Sequence, residues 1–111
     1  MVVVAVRDLL FRSKIHAAAE RLGVAVRLAP RGLALADAVR DVPGATVLAD
    51  LGEPGMVEQI AELKRAGGAR VVGFLGHLRQ DLMDAAAAAG ADEVLTRGQF
   101  VSRLDDLLRP G

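Results

Sequence analysis

The sequence predicts an α/β domain: a doubly wound parallel sheet of five strands with five helices, in three α/β/α layers. Three observations carry this. Short Val-rich runs alternate with longer segments of helical spacing, the Val-rich runs are almost continuously apolar, and Gly or Pro marks the joints. Strands that alternate with helices imply parallel pairing through right-handed crossovers. Continuous apolar runs, in place of polar–apolar alternation, fit strands covered on both faces.

Each element follows in order. Val2–Val6 is the first strand. Phe11, Ile15, Ala18, Ala19 and Leu22 recur at three- and four-residue steps, an amphipathic helix stopped by Gly23. Val24–Leu28 is the second strand, closed by Ala29-Pro30-Arg31-Gly32, and Leu33–Asp41 is a short helix ended before Pro43. Ala45–Ala49 is the third strand; Met56, Ile60 and Leu63 mark one face of a third helix, which Gly67-Gly68 ends. Arg70–Leu75 is the fourth strand. Leu78, Leu82, Ala85, Ala86 and Ala89 form the fourth helical stripe, small enough to approach the sheet closely and ended by Gly90. Glu93–Thr96 is the fifth strand, and Phe100, Leu104, Leu107 and Leu108 lie on a last helix stopped by Pro110. Five such units match the flavodoxin-like strand order 2-1-3-4-5. The 111 residues read as one domain, 1–111, without an internal linker; they are too few for an eight-fold barrel.

Composition excludes several functions. The formal net charge is +0 with both signs interspersed, so no positive field is available for nucleic acid or for a membrane surface. No apolar segment approaches the roughly 20 residues that cross a bilayer. The chain has no Cys, which removes disulfides and thiolate metal sites. Met1–Val6 has neither a basic start nor a cleavage site, so the expected location is cytoplasmic. Few aromatics, with neither Trp nor Tyr, disfavour a platform for stacking bases.

In an open doubly wound sheet, ligands bind beyond the carboxyl ends of the strands where the winding reverses. That point lies between the first and third strands, which end at Arg7-Asp8 and Asp50. Leu75-Gly76-His77 and Thr96-Arg97-Gly98, after the fourth and fifth strands, flank it. Topology therefore nominates Arg7, Asp8, Asp50, Leu75, Gly76, His77 and Arg97 as site-lining residues.

At these residues the chain resembles the response-regulator receiver domain of two-component signalling, over nearly its whole length. Asp50-Leu51-Gly52-Glu53-Pro54-Gly55 resembles the receiver loop in which the phosphoacceptor aspartate precedes a Pro-Gly turn. Gly90-Ala91-Asp92-Glu93-Val94-Leu95 is similar to the element that leads into the receiver's last strand. The resemblance implies a phosphoacceptor position at Asp50 and a magnesium site formed by Asp8 and Asp50. It also implies a hydroxyl at the end of the fourth strand and a lysine, then proline, at the end of the fifth. This sequence departs at most of these: the acidic pair becomes Arg7-Asp8, the hydroxyl falls on Leu75 or Gly76, the lysine on Arg97 and the proline on Gly98. Losing a carboxylate weakens a magnesium site, and a guanidinium does not reproduce a lysine's compact charge. The reading is thus an atypical, degenerate pseudo-receiver in which magnesium is doubtful.

Single residues carry two readings each. Asp50 is either a phosphoacceptor or a carboxylate fixed by Arg7 or Arg97, and the ion pair is favoured. Such a pair would lower its pKa. Asp8 is a magnesium ligand, the N-cap of the first helix, or both, and the cap is favoured. His77 is a loop contact or an uninvolved exposed residue; His16 faces solvent on the first helix. Gly73 and Gly76 mark a close approach or a bulge. The functional expectation is a stand-alone, non-enzymatic signalling module of phosphorelay type that meets a kinase or downstream effector by protein–protein contact. A homodimer through the fourth helix, fifth strand and fifth helix would use Met83, Ala87, Val94, Val101, Arg103 and Asp105. The alternative is a binding module for a small molecule or anion, such as a nucleotide phosphate, held at the switch-point crevice by Arg7, Arg97 and backbone N–H groups.

Overall fold

The structure is a computed structural model that describes residues 1–30, 32–76 and 79–109. Five parallel strands, β1 (Val2–Ala5), β2 (Val26–Leu28), β3 (Thr46–Asp50), β4 (Arg70–Leu75) and β5 (Glu93–Thr96), form one sheet in the order β2-β1-β3-β4-β5. The flavodoxin-like expectation holds. Six helices follow: α1 (Leu9–Leu22), α2 (Leu35–Ala38), α3 (Met56–Arg65), α4 (Gln80–Ala88), α5 (Arg97–Ser102) and α6 (Leu104–Leu108).

The sheet is buried on both sides because successive side chains enter opposite cores. Val2, Val4, Leu48, Val72, Phe74 and Leu95 pack with α1, α5 and α6. Val3, Ala5, Val47, Ala49, Val71 and Leu75 pack with α3 and α4. Each residue of β1 and the middle of β3 therefore needs an apolar side chain, which is why these runs show no alternation. All three phenylalanines meet in the first core: Phe74 stacks on Phe100 with centroids 4.1 Å apart, and Phe11 lies 5.2 Å from Phe74.

Several boundaries differ from the sequence expectation, each for a local reason. Strand β2 starts at Val26 and not at Val24, because the Val24 N–H closes α1 by donating to Ala19 O (2.9 Å). Gly23 takes the left-handed conformation this closure requires (φ 69°). Helix α2 shrinks from Leu33–Asp41 to four residues; it has no side-chain cap, and its turn ends at β-branched Val39. The expected single last helix breaks at Arg103, making six helices and not five. Ser102 Oγ donates to Gln99 O (3.2 Å), and the Arg103 guanidinium is drawn onto the Glu93 carboxylate. On α4 only Ala86 is fully buried, while Leu82, Met83 and Ala89 are half-buried and Ala85 is exposed, contrary to its place in the expected stripe. Leu78, Pro110 and Arg31 lie outside the described residues.

The Gly-Ala-Asp element acts at the end of the sheet away from Asp50. Asp92 Oδ2 accepts from the Val71 N–H (2.7 Å) and from Lys64 Nζ (2.9 Å), tying the starts of β4 and β5 to α3. Lys64 crosses Gly90, where a Cβ would come within 3.1 Å of its Cγ. These residues hold the frame and take no part in the site.

Candidate functional site

The site grows from the carboxyl ends of β1, β3, β4 and β5. Asp50 is the last residue of β3, opposite Phe74 in register, and is half-buried. Leu51 continues the ladder by donating its N–H to Phe74 O (2.9 Å) and sinks into the α3/α4-side core. The chain then turns: the Gly52 N–H donates to Asp50 Oδ1 (2.9 Å) and the Glu53 N–H to Asp50 O (3.2 Å). Gly55, at φ 80°, adopts the left-handed conformation that starts α3. Gly52 also leaves room for the carboxylate, since a Cβ there would stand 3.2 Å from Asp50 Oδ1.

The expected ion pair at Asp50 is absent among the described residues. Arg7 approaches Glu53 instead, at 3.9 Å. Arg97 lies over the Phe11 ring, 4.6 Å from its centroid. The carboxylate environment is consequently the reverse of the one expected. Burial pushes the Asp50 carboxyl above its ordinary value of 3.8; the Gly52 N–H opposes this, and the negative charges of Glu53 and Asp8 add to it. The correction has a physical source: Glu53, in the turn, captures the nearby cation, and an aromatic face captures the other.

Asp8 does cap α1, with Oδ1 accepting from the N–H groups of Leu10 (2.9 Å) and Phe11 (3.2 Å). Leu75 is buried within the core and Gly76 is exposed, so neither offers a hydroxyl. His77 lies outside the described residues. Among the described residues, no three His, Cys, Asp or Glu side chains converge into a metal-binding group. Asp8 and Asp50, with one oxygen of each already hydrogen-bonded, would leave most of magnesium's octahedral oxygen set to water.

Two contributors were missed from sequence. Glu53 contributes more negative-charge influence on Asp50 than Asp8 does, and its position three residues on, within a Pro-Gly turn, could have signalled it. Thr96 caps α5: its hydroxyl accepts from the Gln99 N–H (3.2 Å) while Gln99 Oε1 accepts from the Thr96 N–H (2.9 Å). The spacing Thr96-Arg97-Gly98-Gln99 is a capping-box signature, and it fixes Arg97 in the first turn of α5.

Asp50→Asn provides a pH test. A carboxyl whose pKa is raised by folding stabilises the fold only while protonated; that stability is lost as pH rises through the raised value. The Asn variant should therefore melt higher than the parent at neutral pH. The gap should close as pH falls through the raised value and vanish below 3.8. A constant gap across this range, read by thermal melts, would contradict the burial effect.

The sequence matches no protein-family profile and no curated protein. Solved structures do match. A response-regulator signal receiver domain from Bermanella marisrubri superposes with a TM-score of 0.75 at 20% identity, covering 97% of both chains. A response regulator from Thermotoga maritima matches at 0.73 and 16%, covering 96% of this chain and 95% of that one. An orphan response regulator of H. pylori matches at 0.72 and 14%, covering 97% and 95%. The chain thus has the fold of the response-regulator receiver domains. At this identity the likeness concerns the fold.

Proposed function

We propose that this chain is a receiver-like signalling module of two-component type that works by protein–protein contact, with magnesium-dependent phosphorylation at Asp50 impaired or absent. The observation that carries this reading is the environment of Asp50. In this reading its carboxylate takes the phosphoacceptor's place, yet no cation pairs with it among the described residues: Arg7 lies 3.9 Å from Glu53 and Arg97 over Phe11, while Glu53 and Asp8 add negative charge around it. Phosphoryl transfer to a carboxylate depends on neutralising charge around the acceptor. Here one oxygen of Asp8 is engaged as a cap, Leu75 stands buried at the end of β4 and carries no hydroxyl, and Arg97 is held over Phe11.

The recognition surface fits this reading. On the face of α4, β5 and α5, Ala87 and Val101 are exposed, while Met83 and Val94 are half-buried against the core. Arg103 is engaged by Glu93, and Asp105 accepts from both terminal nitrogens of Arg21 (2.9 and 3.0 Å). A partner, whether a kinase, an effector or a second copy, would meet a small apolar patch rimmed by charges already paired.

Magnesium titration followed at the Gly52 amide resonance tests the reading, because that N–H is bonded to Asp50. Millimolar magnesium should leave it unmoved. A saturable shift that disappears in Asp50→Ala would refute the impaired site.

A further inference from the structure

We infer that the cleft between the ends of β1 and β2 and the start of α3 is a binding site for a small amphiphilic monoanion, an aliphatic chain or ring carrying one carboxylate. The cleft is open to solvent and offers about 710 Å³, within the roughly 300–1,000 Å³ usual for small-molecule sites. Its lining mixes apolar and charged side chains. Val4, Leu35 and Met56 are buried lining residues, joined by Leu28 and Leu33. Arg7 and Arg12 supply the charge.

Arg12 is the informative residue. It is half-buried on α1, yet no carboxylate pairs with it among the described residues. Partial burial of a guanidinium without an anion costs free energy that a bound anion would offset. Arg7 makes only the 3.9 Å approach to Glu53, the one carboxylate of the lining. Among the described lining residues, two guanidiniums against one carboxylate leave a single positive charge, which suits a monoanion better than a phosphate dianion. Gln59 pins the wall: its Oε1 accepts from the Leu35 N–H (3.1 Å), which leaves its –NH₂ group without a protein acceptor among the described residues.

The shape also selects against a nucleotide. Among the described residues no aromatic side chain lines the cleft, and Arg97, expected at such a crevice, stands over Phe11 instead. Asp50 is not among the lining residues. The cleft shares Arg7 and Glu53 with the surroundings of Asp50, but its ligand binding does not depend on the signalling reading, and either can fail without the other.

The probe is octanoate, titrated into the full chain by calorimetry and followed by amide shifts. Saturable binding is expected, with shifts at Leu28, Leu35 and Gln59. Arg12→Gln should weaken it by about tenfold, the worth of one charge-assisted contact, and Arg7→Gln should also weaken it. Arg65→Gln, on the exposed face of α3, should leave it unchanged, and 1-octanol should bind about tenfold more weakly than octanoate. Melting curves of each variant establish that it is folded. Absence of saturable shifts at the cleft, equal affinity in Arg12→Gln, or inorganic phosphate binding as tightly as octanoate would overturn the inference.

Discussion

Phe74→Ala should destabilise the protein by about 3–5 kcal/mol, the usual cost of emptying a buried phenylalanine site. Phe74 is 1% exposed and stacks on Phe100, which is wholly buried, while Phe11 closes the cluster from α1. Phe11 and Phe100 are the remaining Phe side chains of the sequence and both lose their shared partner. Because small domains are stable by only about 5–15 kcal/mol, much of the total would be lost. The melting temperature should fall by on the order of 15 °C or more. Leu10→Ala, at a residue 58% exposed, should change stability by less than about 0.5 kcal/mol. The loss should reach the site as well, since Phe74 pairs with Asp50 in register and Phe11 carries Arg97. Equal melting temperatures for the two variants would show that the ring cluster is not the keystone of this core.

Gly73→Ala should cost about 1–3 kcal/mol, as overpacking of a filled core does, and should displace the Asp50 turn. A Cβ at Gly73 would lie 2.8 Å from Leu51 Cδ2 and 3.0 Å from its Cγ. Leu51 is 2% exposed and has no free space to retreat into. It is covalently next to Asp50, so its movement should shift the Gly52 amide, a readout that simple destabilisation would not give. Leu51→Ala should rescue much of the loss when combined with Gly73→Ala, since residues in contact are not additive. A fully additive double variant would sever the proposed link between the core and the Asp50 turn.

Much of the frame is legible in the sequence, because both-sided burial forces an apolar residue at nearly every strand position and Gly or Pro at nearly every joint. The β4 and β5 boundaries follow directly from their runs, and Gly73 does mark a close approach, by the Leu51 side chain and without a bulge. Boundaries that depend on a single hydrogen bond, such as Val24 to Ala19 or Ser102 to Gln99, are invisible to periodicity. The site is legible in position but not in pairing. Topology places Asp50 at the mouth of the sheet. Whether Arg7 turns to Asp50 or Glu53, and Arg97 to a carboxylate or a ring, depends on turn geometry and on which rings lie beneath. Arg12 carries no sequence signal at all, because its role arises only where α1 meets the ends of β1 and β2.

In the proposed reading, Asp50 takes the phosphoacceptor's place without the neighbours that make it competent. Incubation with acetyl phosphate and magnesium at neutral pH, followed by intact-mass measurement, tests this most directly. The account predicts the unmodified mass, under conditions in which a receiver domain with its full acidic pair, hydroxyl and lysine is modified in parallel. A labile adduct of one phosphate that forms on this chain and is absent in Asp50→Ala would contradict it.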